Sequence, residues 1–144
     1  GWMTQRDAAQ QLKNQDCLVL PSIRECGGAV VLEAMAASLP VIAVDWGGPA
    51  DYLDASCGIL VPPLSARHVM LAMSEALVKL ARDPDLRRRL GAQGRVKVEQ
   101  EFDWEKKIDA ILSAYARAAG HSDQRGHDTS PLGMADDTRT SPAR

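Results

Sequence analysis

The residues of this chain best suited to chemistry lie together in Leu20-Pro21-Ser22-Ile23-Arg24-Glu25-Cys26-Gly27-Gly28-Ala29-Val30-Val31-Leu32-Glu33. Gly27-Gly28 stands where a helix begins. Unobstructed backbone N–H groups and the positive end of a helix dipole suit an anion, typically a phosphate. Glu25 precedes that helix, and Glu33 lies within it, about 7–8 Å along the axis from Gly28 at roughly 1.5 Å per residue. One carboxylate is therefore expected on each side of a bound phosphate. Ionised carboxylates accept strong hydrogen bonds from hydroxyls. A ligand with hydroxyls on both sides of a phosphate is, chemically, a nucleoside diphosphate sugar.

These residues need elements to hold them. Cys17-Leu18-Val19-Leu20 is a short apolar run closed by Pro21-Ser22, the pattern of a strand buried on both faces. Gly28–Ser38, rich in Ala, Met, Leu and Glu, predicts a helix. Pro40–Asp45 predicts a second buried strand, Trp46-Gly47-Gly48-Pro49 a loop, and Gly58–Pro63 a third strand. An amphipathic helix over residues 4–15, with Thr4 as N-cap, precedes them. Ser65–Arg82, Pro84–Gly91 and beyond, and Trp104–Ala119 predict helices after them. Strand, helix, strand, short connection, strand is the rhythm of a parallel sheet with helices on its faces, so the fold class is α/β and Rossmann-like. In such sheets ligands bind at the carboxyl ends of the strands, where Glu25 falls. Three strands are few for this class and leave an exposed edge, so earlier strands are expected upstream.

Composition bounds the function. The chain has 144 residues, with 17 Lys and Arg against 19 Asp and Glu, and a net charge of −2. That balance gives no electrostatic motive for gripping nucleic acid. No apolar run approaches the roughly 18–20 residues of a membrane span, and no secretory leader opens the chain, so a cytoplasmic location is expected. Cys17, Cys26 and Cys57 are an odd number without metal-ligand spacing, which predicts reduced thiols and no metal site. Residues 120–144 hold four apolar side chains in 25, Leu132, Met134, Ala135 and Ala143, and are expected to be a disordered polar tail. The folded part, 1–119, should end near Gly120, where a helix-terminating glycine belongs.

With those pieces in place, Gly1 to Pro63 resembles the C-terminal, donor-binding half of family 4 retaining glycosyltransferases of the GT-B fold. The resemblance rests on Pro21-Ser22, the E-x7-E pair Glu25/Glu33, Leu32-Glu33-Ala34-Met35-Ala36, Pro40-Val41-Ile42-Ala43, Gly47-Gly48-Pro49 and Gly58-Ile59-Leu60-Val61-Pro62. Phe102-Asp103-Trp104 through Tyr115 resembles the helix that closes such proteins. The resemblance implies transfer of a hexosyl group from a nucleotide-diphosphate sugar to a hydroxyl of a carbohydrate or lipid-linked acceptor, with no obligatory metal or other cofactor. It implies that Glu25 holds donor-sugar hydroxyls and is the catalytic-site carboxylate. Backbone amides of Gly27, Gly28, Ala29 and Val30 would contact sugar and diphosphate, and Glu33 the ribose. It also implies an N-terminal acceptor domain, and a basic Arg/Lys pair for the diphosphate, that this stretch does not contain. The chain is thus expected to be a piece of a larger enzyme. Two departures stand out: Gly27 replaces a frequent aromatic residue, and Ser38 replaces a glycine at a position where serine should cost little.

Other readings compete. The chain could keep the fold without activity, or be another phosphate-binding α/β protein, although neither a dinucleotide G-x-G-x-x-G nor a P-loop string occurs. Glu25 and Glu33 could serve as acid and nucleophile of a glycosidase, but the glycines between them build an anion site that hydrolysis of a neutral glycoside does not need. Arg87-Arg88-Arg89 with Arg82, Arg95 and Lys97 admits peripheral contact with acidic lipid headgroups, yet the interrupting Gly91 and Gly94 favour a solvated face. His68 is expected on the exposed side of its helix, and Asp45 either reaches a ligand or caps the Gly47-Gly48 loop.

Overall fold

The computed structural model describes residues 1–122, which divide into a unit of Gly1–Asp109 and a second from Ala110 onward. Three parallel strands form the sheet of the first unit: β1 (Leu18–Leu20), β2 (Val41–Val44) and β3 (Gly58–Val61), in that order. Leu18 faces Val41, Val19 faces Ile42, and Ile42 in turn faces Ile59. Alternation along β2 divides the core. Ile42 and Val44 pack with Val61, Met73 and Leu80 on one face; Val41 and Ala43 pack with Val31, Met35 and Leu53 on the other. All four residues of β2 are buried, as expected of a central parallel strand. β1, expected to be buried on both faces, is half-buried throughout. It is an edge strand, and no described residue pairs beyond it.

Helices cover both faces: α1 (Gln5–Leu12), α2 (Ala29–Ala36), α3 (Gly48–Tyr52), α4 (Ala66–Arg82) and α5 (Pro84–Lys97). Their starts follow the local chemistry. Thr4 Oγ1 accepts the Asp7 N–H at 3.2 Å, Ser65 Oγ the His68 N–H at 3.1 Å, and Asp83 Oδ1 the Leu86 N–H at 2.8 Å. α1 is shorter than the expected 4–15, because Asn14 and Gln15 fold back onto the carbonyls of Gln11 and Leu12 in tight turns. The segment read as a loop, Trp46–Pro49, is a loop only as far as Gly47. Pro49 at the first turn starts α3, where a missing N–H costs nothing. His68 is half-buried rather than exposed, one position before buried Val69.

α2 ends in a Schellman turn. Leu39 N–H donates to the Ala34 carbonyl and Ser38 N–H to that of Met35, both at 2.9 Å, with Ser38 at φ +60°. Serine there is a strained substitute for glycine, a correction to the expectation that it costs little. α5 lies close against this turn: a Cβ on Gly91 would sit 2.0 Å from the Ser38 carbonyl oxygen. The interrupting glycines of the basic run are therefore packing residues.

The basic residues of α5 are largely engaged. Arg87 donates to the carbonyls of Leu80 and Ala81 at the end of α4, and Arg88 pairs with Asp85. Arg95 reaches Glu99 at 2.8 Å and the Ala36 carbonyl at 2.9 Å, and Lys97 binds Asp54 at 2.6 Å. A π-helical turn, Val98–Phe102, follows, with Phe102 edge-on to Tyr52 at 5.3 Å between ring centroids. α6 spans Trp104–Ser122 and passes through Gly120, which does not end the helix as expected. The tail assigned to 120–144 lies, beyond Ser122, outside the described residues. Among the described residues no helix is long and apolar enough to cross a membrane.

Candidate functional site

The carboxyl ends of the three strands lead into Pro21, Asp45-Trp46 and Pro62-Pro63. Between these ends and α4 opens a cleft of about 1160 Å³. The β1–α2 loop lines it with Ile23, Arg24, Glu25 and Cys26, and the β2–α3 loop with Trp46. α4 supplies Val69, Met70 and Met73. A mostly apolar cleft with a few polar groups converging on it is the usual build of a ligand site, here at the sheet end where ligands of α/β proteins bind.

Glu25 is fixed by the start of α2. Gly28, the N-cap residue, has no side chain to satisfy the first turn, and its own N–H donates to Glu25 Oε1 at 2.9 Å. The carboxylate thus caps the helix from three residues upstream and sits at its positive end, where negative charge is favoured. Gly28 has φ +60°, and a Cβ there would lie 3.1 Å from Glu25 Cγ and 3.3 Å from Pro49 Cδ. Glycine is the residue this contact requires. The Gly28 amide, expected to face the ligand, is therefore taken by Glu25, while the Ala29 and Val30 amides are the first-turn donors left over. Gly27 is exposed, and a Cβ on it would meet nothing within 4 Å.

The second glycine pair holds this loop. Gly47 adopts φ +59°, ψ −143°, with its pro-Cβ direction 1.9 Å from the Glu25 carbonyl oxygen. The same direction on Gly48 points 2.1 Å from the Gly27 carbonyl oxygen, and Gly48 N–H donates to the Cys26 carbonyl at 3.2 Å. Two loops from different strands thus meet backbone to backbone. Asp45 is exposed, and its N–H is held by the Val61 carbonyl at 2.9 Å.

Glu33 lies elsewhere. It is exposed on the flank of α2 facing α1, in a separate cleft of about 240 Å³ with Gln5, Ala9, Leu12 and Lys13. The structure therefore brings Glu25, Gly27, Gly28 and the first turn of α2 together and sets Glu33 apart from them. Two carboxylates in different clefts cannot flank one glycosidic bond, which counts against the glycosidase reading. The contributions of Trp46 and of α4 to the main cleft were missed in the sequence. Trp46 was findable, since it follows the second strand at its carboxyl end; the α4 residues carry no signal beyond ordinary helical amphipathicity.

Of the three thiols, Cys26 is exposed in the cleft and Cys57 is buried. Burial raises the Cys57 thiol above its ordinary pKa, and burial with the neighbouring Asp16 charge raises that of half-buried Cys17. Away from the cleft, Asp54 accepts from Lys97 and from the hydroxyl and N–H of Ser56, which hold its carboxyl far below the usual carboxylate range.

The fold that carries this cleft has known relatives. The sequence profile of the glycosyl transferases group 1 family matches residues 1–97. A D-inositol 3-phosphate glycosyltransferase of Streptomyces bingchenggensis is 37% identical over 116 residues, 80% of this chain and 24% of that protein. An alpha-maltose-1-phosphate synthase of Mycolicibacterium smegmatis is 35% identical over 104 residues, 70% of this chain and 27% of that protein. The chain thus spans about a quarter of the length of these relatives. A solved sucrose-phosphate synthase from Thermosynechococcus elongatus superposes with a TM-score of 0.72 at 31% identity, covering 84% of this chain and 30% of that one. The C-terminal domain of a group 1 glycosyl transferase from Francisella tularensis superposes at 0.63 and 26% identity, covering 72% of this chain and 52% of that domain. The parallel sheet with its flanking helices is thus that of GT-B glycosyltransferases, and the chain belongs to the glycosyl transferases group 1 family.

Proposed function

We propose that this chain is the donor-binding part of a family 4 retaining glycosyltransferase, residues 1–119 forming its partial Rossmann-like domain and closing helix. The observation that carries the proposal is Glu25 capping α2 at the mouth of the sheet-end cleft. Oε1 is committed to the Gly28 N–H, which fixes the carboxylate and leaves Oε2 to accept donor-sugar hydroxyls. The Ala29 and Val30 amides, with that of Gly27, face the diphosphate, and their dipoles stabilise the charge that grows on it as it departs. The nucleoside half of the donor then runs past the start of α2 toward the separate cleft beside α1, where Glu33 takes the ribose. The reaction moves a hexosyl group from a nucleotide-diphosphate sugar to the hydroxyl of a carbohydrate or lipid-linked acceptor with retention at the anomeric carbon. It needs no obligatory metal, and the acceptor is held by an N-terminal domain outside these residues. The setting is cytoplasmic.

The test is calorimetric titration of the 144-residue chain with UDP, GDP and ADP and with their glucose or mannose conjugates. Sub-millimolar binding of one such pair is expected. Glu25→Gln, which keeps an oxygen for the Gly28 N–H, should remain folded and bind the sugar conjugate more weakly. In the full-length protein Glu25→Ala should abolish transfer. Transfer at the wild-type rate would refute the site, and a chain that binds none of these probes is the inactive fragment instead.

A further inference from the structure

The largest apolar side chain of the cleft is only half covered by the rest of the fold. Trp46 is 54% exposed, at the carboxyl end of the central strand, on the wall that also bears Glu25. It shares the cleft with Ile23 and Met70, 59% and 61% exposed, and apolar side chains gathered in one cleft around a few polar groups are what a ligand buries. Its backbone is held from both sides. Trp46 N–H donates to the Val44 carbonyl at 2.9 Å, and the next residue, Gly47, is the one pressed against the Glu25 carbonyl. The Gly48–Cys26 hydrogen bond locks the two loops together, so the backbones that carry the indole and the carboxylate keep a fixed relation. Beside them Gly27 opens space that no side chain occupies within 4 Å of its Cβ direction.

From this geometry we infer that Trp46 is the platform for the donor's pyranose ring and a determinant of which sugar is accepted. The inference rests on the proposal that the cleft binds a nucleotide sugar. An aromatic face beside a carboxylate matches the two sides of a pyranose. Its hydroxyls hydrogen-bond to the carboxylate, while its axial C–H bonds, slightly positive, lie on the negative face of the indole. A nucleobase would use the indole but offers a carboxylate no array of hydroxyls. The room over Gly27 is then filled by the sugar, and the indole replaces a wall that position 27 does not supply.

The experiment compares wild type, Trp46→Ala and Trp46→Phe in calorimetric titrations with UDP against UDP-glucose, GDP against GDP-mannose and ADP against ADP-glucose. For the pair that binds, Trp46→Ala should weaken the sugar conjugate by about 5- to 10-fold and the bare diphosphate by less than 2-fold, with Phe restoring most of the loss. Equal weakening of conjugate and diphosphate would overturn the inference while leaving the cleft as the nucleotide site, because the indole would then be serving the base. No weakening of either would also overturn it. A wild-type chain that binds no probe defeats the cleft proposal itself, and this inference with it. Far-ultraviolet circular dichroism of the variants should match wild type, since the indole is largely outside the core.

Discussion

Replacing Gly47 by alanine should damage the protein out of proportion to one methyl group. Two costs arise at once. At φ +59°, ψ −143° an L-residue is in a conformation that only glycine adopts comfortably, about 1–3 kcal/mol. The new Cβ would lie 1.9 Å from the Glu25 carbonyl oxygen, where ordinary contacts begin at 3.4 Å, and overpacking of that kind costs about 1–3 kcal/mol after relaxation. Together they amount to roughly 2–6 kcal/mol, a large share of the roughly 5–15 kcal/mol that holds a typical domain folded. The readiest relief is retreat of the Glu25–Gly27 loop, which breaks the Gly48–Cys26 bond and draws Glu25 off the Gly28 N–H. Urea denaturation measures the first effect. Amide hydrogen exchange measures the second, with Gly28 and Gly48 losing protection while the amides of β2 keep theirs. Gly27→Ala is the control, since its Cβ direction is open and its φ ordinary, and it should shift stability by less than about 0.5 kcal/mol. Equal stability of Gly47→Ala and wild type would refute the claim that these glycines latch the two loops. So would a Gly27→Ala as damaging as Gly47→Ala.

Two further substitutions test the frame around the site. Ser38→Gly removes an L-residue from the left-handed position of the Schellman turn and should stabilise by about 1 kcal/mol, seen as a Tm rise of roughly 4 °C; an unchanged or lower Tm would contradict the strain assigned to Ser38. Asp54→Asn should cost about 1 kcal/mol at pH 7, a figure discounted because the carboxylate is half exposed. The folded-state pKa of Asp54 is depressed, so its contribution is complete above the unfolded value near 4 and disappears as pH falls below it. Lys97 holds its proton more tightly than usual: burial alone would lower its pKa, but the Asp54 hydrogen bond and charge outweigh that, so the pair survives on the alkaline side to beyond about pH 10.5. The gap between variant and wild type should therefore begin to narrow below about pH 4 and keep narrowing as the pH falls further, and a gap constant from pH 7 to 2.5 would refute the pair.

How far the sequence carried depended on whether a feature was local. Buried β2 was legible because four consecutive apolar residues after a proline admit little else, and the caps at Thr4, Ser65 and Asp83 because their chemistry acts within three residues. β1 was misjudged because an edge and a central strand share an apolar run; what lies beside a strand is not written in it. Ser38 was misjudged because a left-handed turn depends on backbone angles that serine tolerates without advertising. Glu33 illustrates the same limit at the site. Its rise along α2 follows from the spacing, but its azimuth sets it apart: five residues at 3.6 per turn rotate it well over 100° from Gly28, toward α1. The Gly47-Gly48 latch was out of reach, since it joins carbonyls of one loop to alpha carbons of another some twenty residues away.

The charge balance of the cleft bears on what this domain does for a donor. The helix start contributes about half a positive charge, and Glu25 capping it more than cancels that. Among the residues lining the cleft, Arg24 is the cation that stands against it. A nucleotide sugar brings two ionised phosphates, so this wall meets the ligand's charge only in small part. It supplies direction instead: amides aimed by α2, a carboxylate immobilised by Gly28, and an indole fixed to the same pair of loops. Neutralisation has to come from further groups, and the resemblance implies an Arg/Lys pair that this stretch does not contain. Affinity of the chain for a diphosphate should accordingly be modest and weaken with added salt, while its preference among sugars, which rests on hydrogen bonds and ring contact, should be nearly independent of ionic strength. Selectivity would then reside in these residues and most of the affinity in groups outside them.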